Sequence, residues 1–483
     1  VIDLAGKFVC SGFNDSHMHL LSYGNYLMNA QLDKHTDSLQ GMLEYLKEFM
    51  VEKEIHEGEW IKGRGFNQDY FSDENRMPTR HDLDTVSTKH PILISRACGH
   101  LLVVNTKALE ILGIESDDPN VSNGVFYDDT MAMVSERMPI PSNEELKKMI
   151  LAASKSLNSY GITSSQTDDY CVFTNIPGIK INEVYEELNR EGLLTVRVNQ
   201  QANITSLDTL QQFIALGNTT GAGDLMYKIG PLKMLGDGSL GARTASLSVP
   251  YNDDPSTQGM MCFADDFIYQ MVLYAHTHGM QAAIHAIGDH CLDVVLNAYE
   301  KVLQQYPRED HRHGIVHCQI SREEQLQKII DLNLHIYAQS IFIDYDTHIV
   351  YERVGEKLAN TSYYWKHLKE HGVHVSNGTD CPVELPDALA CMQCAITRES
   401  YSKPSRPFLP DQAFTVAEAL DSYTIMGAYA SFEENIKGYI TPGYLADYVI
   451  LEESPFEVDP HKIKDIQVNS TYLNGKCVYQ GGR

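Results

Sequence analysis

Residues 280–320 read MQAAIHAIGDHCLDVVLNAYEKVLQQYPREDHRHGIVHCQI. A short apolar run at 280–287 gives way to an amphipathic stretch at 291–305, and a second apolar, β-branched run follows at 314–320. Strand, helix and strand in that order predict a right-handed βαβ unit with parallel strands. The same alternation extends in both directions. Strand-like runs recur at 162–167, 194–202, 226–235, 334–340 and 373–379, with helical segments at 182–191, 206–216, 265–278, 322–332 and 362–371. With FVCSGFNDSHMHL (8–20) the strands number eight, which predicts an α/β fold of the (β/α)₈ TIM-barrel class.

Two regions stand outside that alternation. Residues 38–142 hold a helical stretch (SLQGMLEYLKEFMVEKEIH), two strand-like runs (EWIKGRGF and PILISRAC) and a Gly/Asp/Asn-rich stretch near 115–130. They are expected to form an inserted lid subdomain over the barrel mouth, within a barrel domain of residues 10–436. Residues 437–483 turn β-rich, and residues 1–9 have matching strand character. The two are expected to pair as a small β module, too short to close a sheet by either part alone.

Composition narrows the partners. The 483 residues carry a formal charge of −27, which argues against nucleic acid and anionic membrane as partners but says nothing positive about substrate. A small-molecule substrate is the partner expected from the site residues. No run approaches the roughly 18 apolar residues of a membrane span. The start, VIDLAGKFVC, lacks both Met and the features of a signal peptide, so a longer gene product is expected. Ten cysteines are scattered, some in apolar strand-like runs (Cys98, Cys318, Cys477), and Cys391 and Cys394 share an apolar helical stretch. Packed, reduced thiols and a cytoplasmic setting follow.

Three His-x-His pairs occur: His17/His19, His276/His278 and His311/His313. The second falls at a helix end and the third in a polar turn (REDHRH), so both read as surface positions. His17/His19 ends a strand, where period-2 geometry points both rings to one face, at the C-terminal rim of the barrel. Lys233, His285, His317 and Asp380 fall at equivalent places. His285 to His317 is 32 residues, one βα repeat; His317 to Asp380 is 63, two repeats, with strand 334–340 carrying no ligand. Lys233 to His285 is 52, one repeat plus an insertion at 239–262. The polar residues thus sit on barrel strands 1, 4, 5, 6 and 8.

Imidazole and carboxylate suit Zn²⁺ and related divalent metals. A lysine fits among them only when carboxylated, as an anionic bridge between two metals. The chemistry expected is a metal-activated hydroxide attacking a polarised carbonyl, with Asp380 moving the proton to the leaving group.

At these residues the sequence resembles the amidohydrolase superfamily, in particular its YtcJ-like (amidohydrolase 3) branch. The resemblance runs through GKFVCSGFNDSHMHL, GRGFNQDYF, PTRHDLD, CGHLLVVNTKAL, KMLGDGSLGARTA, HAIGD, RHGIVHCQ, SNGTDCPVE and KGYITPGYLADYVIL. It implies a metal-dependent hydrolase with a distorted TIM barrel beside a composite β-sandwich, of which residues 1–9 and 437–483 would be a remnant and the N-terminal part would precede Val1. By motif match it implies His17, His19, His285 and His317 as metal ligands, Lys233 as the carboxylated bridge, and Asp380 as ligand and general acid/base. The same motifs raise His100, Asp237 and Arg243 as substrate contacts, against a packed loop histidine and a structural ion pair. Asp289 stands either as a carboxylate orienting a ligand histidine or as a helix N-cap. The leading expectation is hydrolysis of a C–N bond in an amide, N-acyl or N-formyl group. Ester, cyclic-amide or deaminase chemistry on the same site, and a non-catalytic scaffold, are the rivals. The count of metals, one or two, stays open, as does oligomeric state, with a homodimer among the readings.

Overall fold

The computed structural model describes residues 3–481, apart from Thr36, Asn75, Cys98, Gly99 and Thr174. It divides into two compact units, Val1–Tyr23 with Leu146–Arg483, and Gly24–Glu145.

The first unit holds an eight-stranded, all-parallel sheet: β1 (Phe13–Met18), β2 (Ile162–Thr167), β3 (Arg197–Asn203), β4 (Tyr227–Leu235), β5 (Ala282–Ala286), β6 (Gly314–His317), β7 (His335–Ala338) and β8 (Val375–Asn377). Each strand pairs with its neighbours in chain order, as successive βαβ units require. Beyond the ladder, the amide of Asp380 donates to the carbonyl of His17 (2.9 Å), and the amide of His19 donates to the carbonyl of Cys381 (2.8 Å). These bonds join the last strand's exit to the first strand, closing the sheet as a TIM-type barrel. The helices between strands are amphipathic: Asp289–Gln305 buries Leu292, Val295, Leu296, Tyr299 and Val302 at turn spacing.

The run 8–20 is two strands rather than one. Phe8–Ser11 pairs antiparallel with Tyr448–Leu451, and only after Gly12 does the chain enter β1. A Cβ on Gly12 would meet the Thr163 side chain at 2.2 Å, so the switch between sheets requires glycine. The antiparallel sheet runs Phe8–Ser11, Tyr448–Leu451, Val468–Leu473, Lys476–Gln480. It is tied to the barrel by Arg197 on β3, whose guanidinium donates to both oxygens of Asp447.

The second unit carries a five-stranded sheet in the order Ala30–Gln31, Ile61–Phe66, Ile92–Arg96, Leu101–Val104, Val125–Tyr127. The first three strands are parallel and the last two antiparallel. One apolar cluster includes Leu43, Leu46 and Phe49 of helix Leu39–Glu52, and another includes Leu109 and Leu112 of helix Thr106–Leu112. The sequence reading began this segment at 38 and found two of its strands. The strands at 30–31 and 125–127 are two and three residues long, below what periodicity registers.

A second correction concerns the other histidine pairs. His276, His311 and His313 are buried, not surface residues. The Ala282 amide donates to His313 Nδ1, His313 Nε2 faces His276 Nδ1 at 2.8 Å, and His276 Nε2 reaches the Tyr306 carbonyl. The His313 amide donates to His311 Nδ1, whose Nε2 reaches the Leu332 carbonyl. Every ring nitrogen has a partner, which is how three imidazoles tolerate burial. Cys318, Cys391 and Cys394 are buried free thiols, Cys477 is exposed, and Cys98 lies outside the described residues. Among the described residues, no helix is long and apolar enough to cross a membrane.

Candidate metal centre

The barrel register lifts the chemically active residues to one rim. Leu235 pairs with His285, and Ala286 with His317, so β4, β5 and β6 end side by side. β1 ends at Met18, between His17 and His19, and Asp380 follows β8 across the closure.

The two rings of the first pair converge on one carboxylate oxygen. Asp380 Oδ1 is 3.0 Å from His19 Nε2 and 3.4 Å from His17 Nε2. Their other nitrogens are turned outward: His17 Nδ1 donates to Gln201 Oε1 (2.7 Å) and His19 Nδ1 to the Asp168 carbonyl (2.8 Å). His317 repeats the device, its Nδ1 donating to Gln339 Oε1 at 2.6 Å. A Gln oxygen or backbone carbonyl can only accept, so each bond places a ring proton on Nδ1 and turns Nε2 toward the site. His285 is turned the other way. Its Nε2 donates to the Gly238 carbonyl (3.0 Å), 3.2 Å from Asp237 Oδ1, which leaves Nδ1 as its ligand atom. The His285 and His317 rings meet edge to face at 4.5 Å, and His317 lies 5.6 Å from His17.

Ligand atoms of His17, His317 and Asp380 all lie within 4.8 Å of one another, the compactness a metal requires. Asp380 Oδ1 is buried without a hydrogen-bond partner of good geometry, although two imidazoles face it. Lys233 is also buried, its Nζ 3.6 Å from Asp168 Oδ2. This donor set fits a divalent cation.

Electrostatics agree. Burial pushes the Asp380 carboxyl up, but hydrogen bonds from His17 and His19 outweigh it and hold the pKa well below the usual carboxylate range. Burial likewise opposes charge on His19, yet Asp380 and Cys171 hold its pKa well above the ordinary value. Burial lowers His17, and lowers His317 further with His285 beside it, which keeps both in the neutral form that ligates metal.

The backbone is shaped around these groups. His317, Cys318 and Asp380 all have left-handed φ (75°, 49° and 57°), which is uncommon for residues with a Cβ. Gly378 packs so closely on β1 that a Cβ would come within 2.5 Å of the His17 amide nitrogen.

Other residues singled out from the motifs have different surroundings. Asp237 is buried and accepts from the amides of Ser246, Ile287 and Gly288, so its carboxylate is spent on holding loops rather than open to a substrate. Arg243 pairs with Asp253 at 2.8 Å, not with Asp237. Asp289 is the first residue of its helix and accepts from the Ser248 amide and hydroxyl, with Arg322 at 3.2 Å. It therefore fixes the 246–248 loop rather than orienting a ligand histidine, and the N-cap is Gly288. His100 is exposed in the second unit, immediately after Cys98 and Gly99, which lie outside the described residues.

Sequence reasoning passed over Gln201, Gln339, Asp168 and Asp15. Burial pushes the Asp15 carboxyl up to about 7 despite hydrogen bonds from Thr379 and the His17 amide. A signal existed for the glutamines: each lies in or at the end of a strand-like run that must be buried, where an amide needs a defined partner.

Residues 1–479 match the model of the amidohydrolase family. The chain is 29% identical over 493 residues to YtcJ of Bacillus subtilis (strain 168), a protein named as an amidohydrolase, covering 99% of this chain and 90% of that one. It is 25% identical over 504 residues to the N-substituted formamide deformylase of Arthrobacter pascens, covering 99% and 90% respectively. The crystal structure of an uncharacterized metal-dependent hydrolase from Pyrococcus furiosus is 30% identical, with a TM-score of 0.78 over 94% of this chain and 89% of that chain.

Proposed function

This chain belongs to the amidohydrolase family, and from that premise we propose that it hydrolyses a C–N bond, in an N-formyl or N-acyl amide, with Asp380 as general acid and base. The coarser statement, a metal-dependent hydrolase, is common ground with its relatives. The finer one is carried by a single observation: the convergence of His17 and His19 on Asp380 Oδ1 at 3.4 and 3.0 Å. The similarity to a formamide deformylase supports the choice of bond.

His17, His19, His285, His317 and Asp380 would hold the cation, zinc being the reading the imidazole-rich set favours, with carboxylated Lys233 as a bridge. When bound, a divalent cation polarises a carbonyl oxygen and makes water acidic enough to attack at neutral pH. The protein supplies the rest. Gln201, Gln339 and the Asp168 carbonyl fix the tautomers and tilts of three histidines. Asp380 Oδ1 accepts the proton of the attacking water and returns it to the leaving nitrogen, whose departure breaks the C–N bond. The described cysteines are all free thiols, which supports a reducing, cytoplasmic setting.

The test is a panel of N-formyl, N-acyl, lactam and ester substrates offered to metal-loaded enzyme, alongside Asp380→Asn. The expected result is turnover of formyl or acyl amides, lost by about a hundredfold or more in a variant that retains metal by elemental analysis. Turnover confined to esters, or a variant with unchanged kcat, overturns the reading.

A further inference from the structure

A second donor set lies against the first. Ligand atoms of His19, Asp168 and Cys171 fall within 4.8 Å of one another, and neither the Asp168 carboxylate nor the Cys171 thiol has a part in the chemistry above. Both come from the turn that follows β2. The Asp168 amide is anchored to the Met18 carbonyl (2.8 Å), which holds this turn against the end of β1. Cys171 Sγ lies 3.7 Å from His19 Nδ1 and 3.6 Å from the Asp168 carbonyl.

The carboxylate of Asp168 is fully buried, and its two oxygens are unequally served. Oδ2 accepts from Asn203 Nδ2 at 2.9 Å and faces Lys233 Nζ at 3.6 Å, whereas Oδ1 is buried with no hydrogen-bond partner. A buried carboxylate oxygen left unpaired is costly, and Oδ1 lacks the partner that Oδ2 has in Asn203. The set offers one thiol, one carboxylate and one imidazole, a combination that selects a thiophilic cation over Mg²⁺ or Ca²⁺.

We propose that His19, Asp168 and Cys171 form a second site for a thiophilic dication of the Zn²⁺ or Cd²⁺ type, beside the His17–His317–Asp380 set. Binding replaces the thiol proton of Cys171 and the Nδ1 proton of His19 by bonds to the metal and releases both protons to solvent. The site deepens the reading of Lys233 as carboxylated, on which it leans: that change turns the cation facing Asp168 into an anion and leaves Asp168 in need of another. It makes Cys171 a metal ligand and gives the turn after β2 a role that no motif assigns to it.

The experiment is a titration of the metal-stripped full chain with Cd²⁺, followed by the ultraviolet thiolate-to-metal charge-transfer absorbance. Wild type is expected to develop the band, Cys171→Ser to lose it, and the exposed-cysteine variants Cys262→Ser and Cys477→Ser to keep it. Asp168→Asn is expected to weaken Cd²⁺ binding, read from the same band, roughly tenfold or more. No band in wild type, or a band that survives Cys171→Ser, overturns the proposal. Should Cys171→Ser fail to fold, wild-type alkylation decides: slower modification of Cys171 by iodoacetamide with Cd²⁺ present supports the site, and an unchanged rate overturns it. Turnover is not read, so the amide-hydrolysis reading stands or falls separately.

Discussion

The side chains of Arg197 and Asp447 are each 3% exposed and share two hydrogen bonds, of 2.6 Å from Nε and 3.0 Å from Nη2. They link the third barrel strand to the antiparallel sheet across 250 positions of sequence. Removing one partner strands the other charge in the interior. Asp447→Ala is therefore expected to lower stability by about 3–5 kcal/mol, measured by urea denaturation, whereas the double replacement Arg197→Met/Asp447→Leu recovers most of that loss. A single variant within 1 kcal/mol of wild type, on the ~1 kcal/mol scale of an exposed pair, contradicts the pairing's importance.

Gln201 and Gln339 touch no substrate in the proposed chemistry, yet they set which nitrogen of His17 and His317 carries the proton. Gln339→Leu is expected to weaken metal affinity about 10–100-fold, read by chelator competition, with little change in the far-ultraviolet circular dichroism. Equal affinity in the two proteins removes the glutamine from that role.

Metal loading should release protons. His19 is held in its charged form by Asp380, so its proton must leave before Nε2 can ligate. Affinity is expected to rise with pH, and calorimetry in buffers of different ionisation enthalpy is expected to detect net proton release. A pH-independent affinity contradicts the pairing.

Three buried histidines, His276 in the last turn of helix Asp265–Thr277 and His311 and His313 just before β6, make stability fall on the acid side. Burial lowers His311 to about 4, holds His313 well below its ordinary value and lowers His276. In the unfolded chain these groups titrate near the ordinary histidine value of 6.5. Between those limits the unfolded state binds more protons than the folded one, so stability rises with pH and is fully present above about 6.5. Each histidine contributes at most about 1.4 kcal/mol per pH unit across that window. Urea midpoints measured from pH 7 to 4.5 are expected to decline more steeply for wild type than for His311→Gln; parallel curves refute the assignment.

Gly378→Ala is expected to lose metal and stability together. The added Cβ would lie 2.5 Å from the His17 amide nitrogen and 2.7 Å from its carbonyl oxygen, and neither is a flexible side-chain end. Elemental analysis and thermal unfolding of the variant check this, and wild-type values in both would show that the backbone there yields.

The barrel was legible because its strands are buried on both sides and its helices are amphipathic, the two patterns that periodicity detects best. The ligand candidates were legible for a related reason: polar residues such as Lys233 and His285 inside apolar runs stand out against their surroundings. What stayed hidden depends on partners remote in sequence. That His276 and His313 are buried follows from a chain of hydrogen bonds to Ala282 and Tyr306, while their own segments look polar. Asp289 met a similar fate, because its helix-start position was readable but Ser248 and Arg322 were not. The outward bonds of His17 and His317 likewise reach strands 184 and 22 positions away.

The closure of the barrel has a consequence for how the protein is made. Asp15 on the first strand accepts from Thr379, 364 positions later, and the His17 carbonyl waits for the Asp380 amide. During synthesis, then, the earliest barrel strand emerges with an open edge that only the exit of the last strand can cover. Most of the protein must leave the ribosome before that seam is sewn, and until then the nascent chain exposes an unpaired strand to its neighbours. Assembly of the metal centre is accordingly a late event in the life of each new molecule, and the time spent before it is when a chaperone would matter most.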